Sequence, residues 1–334
     1  MQIRSLVATR ALVFKSLRGQ LRDPDFWPRW GVPTAFVGMV VFFATQSSAF
    51  FTVGNWATIF QQASITGIAA IGATIVLLGG NLDISQGSVI AISGVVAVTL
   101  INAGLPAVLV IPLTILVGVV SGALISALVV SLRVPSFIAS LGIMLSVRGF
   151  AFVITAGVST GVMAGLGEEI KFLGQGRFFE IPIPALLMVG LFLIFALLMT
   201  QTVWGVRTAA LGSSENATRL AGVNPATIVY STFMVAGALS SIAGLVLVGR
   251  LMSAAPDTAT GIEFAVLTAV VLGGASIFGG RASVLRTLLG AVFVVTLYNG
   301  MLLMGVPSFY QMMANGLVLL AALAINHLGT QERR

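Results

Sequence analysis

Ten runs of roughly twenty apolar residues recur along this 334-residue chain, near 33 to 53, 57 to 78, 84 to 102, 107 to 131, 136 to 156, 182 to 200, 227 to 249, 262 to 279, 287 to 304 and 309 to 328. A helix needs about 20 such residues to cross the hydrocarbon of a bilayer. Inside lipid every backbone polar group must be paired, which leaves only helices and closed barrels as spanning structures. Barrel strands read as short alternating segments, whereas these runs are continuous. The expected fold is an all-α integral membrane protein, a polytopic bundle of about ten transmembrane helices. With 57% hydrophobic and 8% charged residues, the chain lies outside the range of soluble domains. Zero cysteines exclude a disulfide framework and thiolate chemistry, and one histidine, His327, cannot build a metal site alone.

Orientation follows from where the cations fall. For an even number of spans, thirteen Lys and Arg share one side: six before Gly31, then Arg133, Arg207, Arg219, Arg281, Arg286, Arg333 and Arg334. The other side holds Lys171, Arg177 and Arg250, and Arg148 falls within a span. The positive-inside rule makes the thirteen-charge side cytoplasmic, with both termini. The net charge of +7 thus reports topology, and nucleic acid is not expected as a partner. Residues 1–30 read as a cytoplasmic amphipathic segment: Ile3, Leu6, Val7, Phe14, Leu17 and Leu21 share one helical arc, and Arg4, Lys15, Arg18 and Arg22 another. Such a helix lies on anionic membrane lipid. The membrane domain then runs over 31–328, with a cytoplasmic loop at 201–226 and a tail at 329–334.

Two of the apolar runs are interrupted alike. LLGGNLDISQGS, at 77 to 88, is echoed by LGGASIFGGRAS, at 272 to 283. Irregular backbone at membrane depth is tolerated only where it is buried in protein or lines a wet cavity, and paired breaks in two halves of a transporter point to its pathway. The candidate pathway residues at the first break are Asn81, Asp83, Ser85 and Ser88. An aspartate facing lipid at the bilayer centre costs about 3 kcal/mol, so Asp83 faces a cavity, a partner helix or the edge of its break. The alternative is that Asp83 or Ser85 caps the next helix. Arg148 is costly at its depth unless paired, and Glu263 is either a helix-start acid complementing the dipole or a ligand for substrate hydroxyls. Asn299, with Asn315 and Gln311, either joins neighbouring helices or contacts ligand. Gly118 and Gly122 mark close helix packing.

Within the 201–226 loop, Ser214, Glu215, Asn216, Ala217, Thr218, Arg219, Leu220, Ala221 and Gly222 carry the marks of a short helix. Ser213 or Ser214 caps it, Glu215 suits its positive end, Gly222 its left-handed exit, and Pro225 prevents continuation. Placed on a basic face, such an element is a docking helix or an ordinary structured loop.

The loop resembles the coupling motif of ATP-binding-cassette importer permeases of the ribose, xylose, arabinose and galactose branch. Its Ala-x-Gly-x-Asn pattern is echoed from Ala210-Leu211-Gly212 through Asn216 and Ala217 to Gly222-Val223. LGGNLDISQGS is similar to that family's Gly-Gly-Ile-Asp-Leu-Ser-Val-Gly-Ser signature, VPSFIASLGIMLSVRGF to its Pro-Phe-Ile-Ala-Thr-Leu-Gly segment, and TGIEFAVLTAVVLGGASIFGG to its Gly-x-Glu-Leu block. The likeness runs over residues 60 to 325. It departs at Asn81 and at Arg281 and Arg286, where the family has apolar or small residues. The resemblance implies a sugar importer subunit in the bacterial inner membrane, paired with a second permease and fed by a periplasmic substrate-binding protein. A separate ATPase that binds ATP and Mg would grip Ser214, Glu215, Asn216, Ala217, Arg219, Leu220 and Gly222. This chain would hold no cofactor and is not expected to be an enzyme: it has only Lys15 and Lys171, no Gly-Lys-Ser/Thr phosphate loop, and no clustered acids or nucleophile with a base. Related permeases carry nucleosides or autoinducer-type furanosyl compounds, which is the alternative cargo. An ion-driven secondary transporter would call for more midplane charges than Asp83, Glu263 and Arg148.

Overall fold

The computed structural model describes residues 26–331. The amphipathic arcs expected before Phe26 and the tail after Gln331 lie outside the described residues, as does the side chain of His327. The described chain is helical almost throughout, with two pairs of very short strands. Each apolar run overlaps a helix. These are α1 (Phe26–Gln46), α2 (Val53–Leu78), α3 (Gln86–Asn102), α4 (Ala107–Ser131) and α5 (Ser136–Thr155) in the first half. In the second half they are α7 (Ile183–Gln201), α10 (Pro225–Leu251), α11 (Ile262–Leu272), α12 (Val284–Leu303) and α13 (Ser308–Gln331). Short helices α6 (Glu168–Gln175), α8 (Val203–Ser213) and α9 (Glu215–Leu220) lie outside these runs. Six helices, α2, α4, α5, α7, α10 and α12, are long and apolar enough to cross a membrane; the stretches Gly31–Gln46, Gln86–Asn102, Ile262–Leu272 and Ser308–Ala324 are shorter. The protein is a multi-pass helical membrane protein.

Two boundaries differ from the sequence expectation. The first helix ends at Gln46 rather than near 53, because residues 47–52 turn and Thr52 caps α2 by accepting from the Asn55 N–H. The eighth run stops at Leu272 rather than 279. Gly274, Gly279 and Gly280 all have positive φ there (80°, 87° and 74°), a region open to glycine and costly for other residues.

The centre of the bundle is α2, which buries residues along almost its whole length, packed against α10, α12, α7 and α11. The α4–α10 contact is the most extensive helix pairing among the described residues. A Cβ on Gly118 would overlap the Gly237 carbonyl, and one on Gly122 the Phe233 carbonyl, so only glycine lets the two backbones meet. Between α3 and α10, Ser93 and Ser241 share a 2.7 Å hydroxyl hydrogen bond. By contrast α5 packs mainly on α3 and α4 and leaves most of its surface open.

The connections sort into two ends. At one end β1 (Thr160–Gly161) pairs antiparallel with β4 (Ser253–Ala254), and Asn102 donates to the Gly161 carbonyl. Here too β2 (Arg177–Phe178) pairs with β3 (Ile181–Pro182), and α6 lies against α10 with Gly174 at Gly249. The other end gathers both helix breaks, α8 and α9. Arg133, Arg207, Arg219, Arg281 and Arg286 belong to this second end, whereas Lys171, Arg177 and Arg250 belong to the first.

Candidate functional site

The break between α2 and α3 is an extended segment laced to the start of α5. The Leu82 N–H donates to Ser136 Oγ (3.1 Å) and the Ile84 N–H to Ser140 Oγ (3.3 Å). Two serines one helical turn apart thereby satisfy backbone groups that the lost helix leaves open. Asp83 is buried, and its Oδ1 accepts from the Ser85 N–H (2.8 Å) and the Ser85 hydroxyl (2.7 Å). Asp83 therefore closes a local turn ahead of α3 without capping it, since both bonds come from Ser85, the residue at the N-cap position. Ser85 does not cap: it stands at the N-cap position without a side-chain cap bond, because its hydroxyl is spent on Asp83. Asn81 is also engaged locally, its Nδ2 donating to the Gly79 carbonyl (3.3 Å).

The first turn of α3 carries a second polar group. Arg148 of α5 donates through Nε to Ser88 Oγ (3.0 Å) and through Nη1 to Thr260 Oγ1 (2.5 Å). Thr260 precedes α11, whose first turn holds the buried Glu263; Glu263 Oε1 accepts from the Gly261 N–H (3.2 Å). One oxygen thus plays the helix-start role. The other, Oε2, lies directly against Gly87, where an added Cβ would collide with it. Ser88, Arg148 and Glu263 are accordingly one constellation between α3, α5 and α11, while Asp83 and Ser85 sit on the approach to it.

Asn299 is not part of it. Its Nδ2 donates to Asn55 Oδ1 (2.9 Å), tying α12 to the first turn of α2, which is the helix-joining alternative. Gln311 bonds within its own approach, to the Val306 carbonyl, and joins no second helix. Four residues near the break escaped the sequence reading. Gln86 looks like an ordinary first-turn residue, yet it is almost completely buried. Thr260 and the Ser136/Ser140 pair act only through tertiary approach. A glutamine directly after the break was the one available signal.

At the arginine-rich end the short helix forms as expected. Ser214 Oγ accepts from the Ala217 N–H (3.2 Å), Glu215 and Arg219 pair at 2.7 Å one turn apart, and Gly222 turns out at φ 78°. Asn224 then caps α10 by accepting from the Ala226 N–H (3.0 Å), with Pro225 as its first residue. Leu220 is 90% exposed. Gly212, at the end of α8, meets both breaks at once. Beside it the Gly280 N–H donates to the Leu78 carbonyl (3.0 Å), and Gly279 lies against Gly80. Both interruptions and the root of α9 therefore converge on one glycine junction.

The profile of a family described as branched-chain amino acid transport system, permease component, matches residues 55–323. The chain belongs to this permease family. It is 36% identical over 304 residues to the ribose import permease protein RbsC of Haemophilus influenzae, covering 89% of this chain and 94% of that one. It is 36% identical over 290 residues to RbsC of Bacillus subtilis, 86% of this chain and 89% of that one. The L-arabinose transport system permease protein AraH of Escherichia coli is 32% identical over 316 residues, 92% and 93% of the two chains. No solved structure matches. The resemblance seen in the motifs is thus a family membership, in line with a transport permease rather than an enzyme.

Proposed function

We propose that this chain is the membrane permease of an ATP-driven importer for a monosaccharide, spanning a bacterial inner membrane about ten times with both termini in the cytoplasm. The observation that carries the reading is the capped, exposed helix α9, rooted at Gly212 where both helix breaks meet. A push on α9 from a cytoplasmic ATPase would reach both interruptions through backbone contacts alone. Kinship with ribose and arabinose permeases supports the cargo class, and the five arginines at the α9 end support its cytoplasmic placement.

In this reading two permease subunits, which are copies or relatives of each other, receive the sugar from a periplasmic binding protein at the β1/β4 end. ATP and Mg belong to the partner ATPase, which grips Ser214, Glu215, Asn216, Ala217, Arg219, Leu220 and Gly222. Asn81, Asp83 and Ser85 shape the approach, and Ser88, Arg148 and Glu263 line the pathway. The test is co-reconstitution of the chain with its ATPase and binding protein in proteoliposomes. ATP-dependent uptake of labelled sugar is expected. Uptake by the chain alone under an imposed ion gradient refutes the reading, and uptake of a nucleoside in place of any sugar refutes the cargo.

A further inference from the structure

A cavity of about 350 Å³ lies at the arginine-rich end, between α2, α7, α8 and the start of α12. Its floor belongs to the central helix: Thr74 and Ile75 line it and are 1% and 0% exposed. Ala196 and Thr200 of α7 form one wall. Arg281, Ser283 and Leu285 form the other, where the second helix break turns into α12. With α2 as its floor, the cavity opens away from the middle of the bundle. The surface beside its mouth is apolar. Leu193, Leu197 and Thr200 follow one another at helical spacing on one face of α7, and the two leucines are 53% and 62% exposed. On a spanning helix such a face meets acyl chains.

Depth places the cavity where headgroups give way to chains. The 26 residues of α2 rise about 39 Å and so overshoot a hydrocarbon layer of about 30 Å by a few ångströms at each end. Thr74, four residues inside the end of α2, lies about 6 Å in and hence near that boundary. The charge here is of one sign. No aspartate or glutamate lines the cavity, and Arg281 is exposed, with no ion pair among the described residues. Ser283 Oγ accepts from the Arg286 N–H (3.4 Å) and has its own hydrogen left to donate. The Val284 and Leu285 N–H groups open α12 and have no carbonyl within that helix to meet, at the end where a helix favours anions. Among the described residues the carboxylates of this end are already engaged, Asp83 with Ser85 and Glu215 with Arg219.

We propose that this cavity binds an anionic phospholipid of the cytoplasmic leaflet. Its phosphodiester meets Arg281, the Ser283 hydroxyl and the open N–H groups of α12, while its glycerol and first acyl carbons lie against Ile75, Leu78 and Met199. Basic pockets between helices on the cytoplasmic side suit such headgroups. A zwitterionic lipid brings a cation towards Arg281 and gains less, and a free anion leaves the apolar floor wet. The ATPase is also near, since α8 leads to α9, but the mouth lies beside exposed leucines of a spanning helix, where lipid and not a soluble protein is the surrounding medium. Leu78 and Gly280, joined by a backbone hydrogen bond at the glycine junction, both line the cavity, so a bound lipid bears on the link between the breaks and α9. The site is independent of the cargo.

The test uses the permease–ATPase complex, purified in detergent, stripped of lipid and titrated with dioleoylphosphatidylglycerol or dioleoylphosphatidylcholine while its thermal midpoint is followed. A ligand of the folded state raises the midpoint, and phosphatidylglycerol is expected to do so at lower concentration than phosphatidylcholine. Arg281→Gln should raise the half-saturating phosphatidylglycerol concentration about fivefold, the share of one basic residue at an anionic surface. Arg207→Gln, on α8 but outside the cavity lining, should keep the wild-type curve. Ala196→Phe fills the cavity without changing charge; read against its own lipid-free midpoint, it should no longer distinguish the two lipids. An equal response of the wild type to both lipids, a wild-type curve in Arg281→Gln, an equal loss in Arg207→Gln or a retained preference in Ala196→Phe overturns the site. Inorganic phosphate that matches phosphatidylglycerol overturns it in favour of a free anion. A response present in the permease alone and lost in the complex overturns it in favour of the ATPase as occupant.

Discussion

Gly212→Ala places one methyl group where three stretches of backbone meet. The added carbon would overlap the Leu78 carbonyl oxygen and stand 2.6 Å from the Gly280 nitrogen and 3.0 Å from the Gly80 nitrogen. Favourable contacts to carbon begin near 3.5 Å, so the junction must open by about 1.5 Å at the Leu78 carbonyl. None of the three neighbours is a flexible side-chain tip. Overpacking of this kind costs about 1–3 kcal/mol, and separating the Gly280 N–H from the Leu78 carbonyl adds about 0.5–1.5 kcal/mol. A total of about 2–4 kcal/mol lowers the thermal midpoint of the solubilised permease by about 5–10 °C on the scale of large domains. Gly222→Ala is the matched comparison in the same loop: nothing lies within 4 Å of its added methyl, and only its positive φ is strained, at about 1–2 kcal/mol. The two variants are compared by thermal unfolding in detergent and by ATP-dependent uptake. Gly212→Ala should lose uptake at temperatures where it is still folded, since the breaks have separated from the root of α9. A midpoint and an uptake rate equal to wild type in Gly212→Ala would refute the junction as a mechanical link.

Other expected outcomes follow from the same geometry. Replacing Glu215 and Arg219 together with Ala removes an exposed pair worth about 0.3–0.5 kcal/mol, so the midpoint should hold while sugar-stimulated ATP hydrolysis is lost; full transport by the double variant would remove α9 from the ATPase contact. Asp83→Asn keeps the Ser85 turn, because an amide oxygen also accepts, and uptake should drop more than subunit assembly does; wild-type uptake would leave Asp83 its turn-closing role only. Gly118→Val drives a side chain into the Gly237 carbonyl, and thermal unfolding should register a loss of about 3 kcal/mol or more.

The sequence makes the helices and punctuation of this fold easy to see and its faces hard to see. Helices such as α4 and α10 are apolar over most of their surface, so their buried side is marked only faintly. In α4 it is a stripe of hydroxyl and small residues, Thr114, Gly118, Ser121, Gly122 and Ser126, of which the glycine spacing alone stands out in the sequence. The short helix α9 was readable because caps are local: Ser214, Gly222 and Pro225 act within one or two turns. The constellation at Arg148 was readable only in part. Its members Ser88, Arg148 and Thr260 are brought together by hydrogen bonds across 60 and 112 positions, and no local rule connects them. Asn299 went the other way, because a polar residue in a span looks the same whether it joins two helices or faces a ligand.

At eleven residues α11 rises only about 16 Å, little more than half the thickness it sits in. A segment of that length cannot be released into lipid when it leaves the ribosome, since its glycine-rich ends would expose bare peptide groups to hydrocarbon. Its walls are α12, α2 and α13, and two of those are synthesised after it. The bundle therefore closes from its C-terminal side, and truncations that remove the last helix should leave the insertion of α11 incomplete however sound the first nine-tenths of the chain.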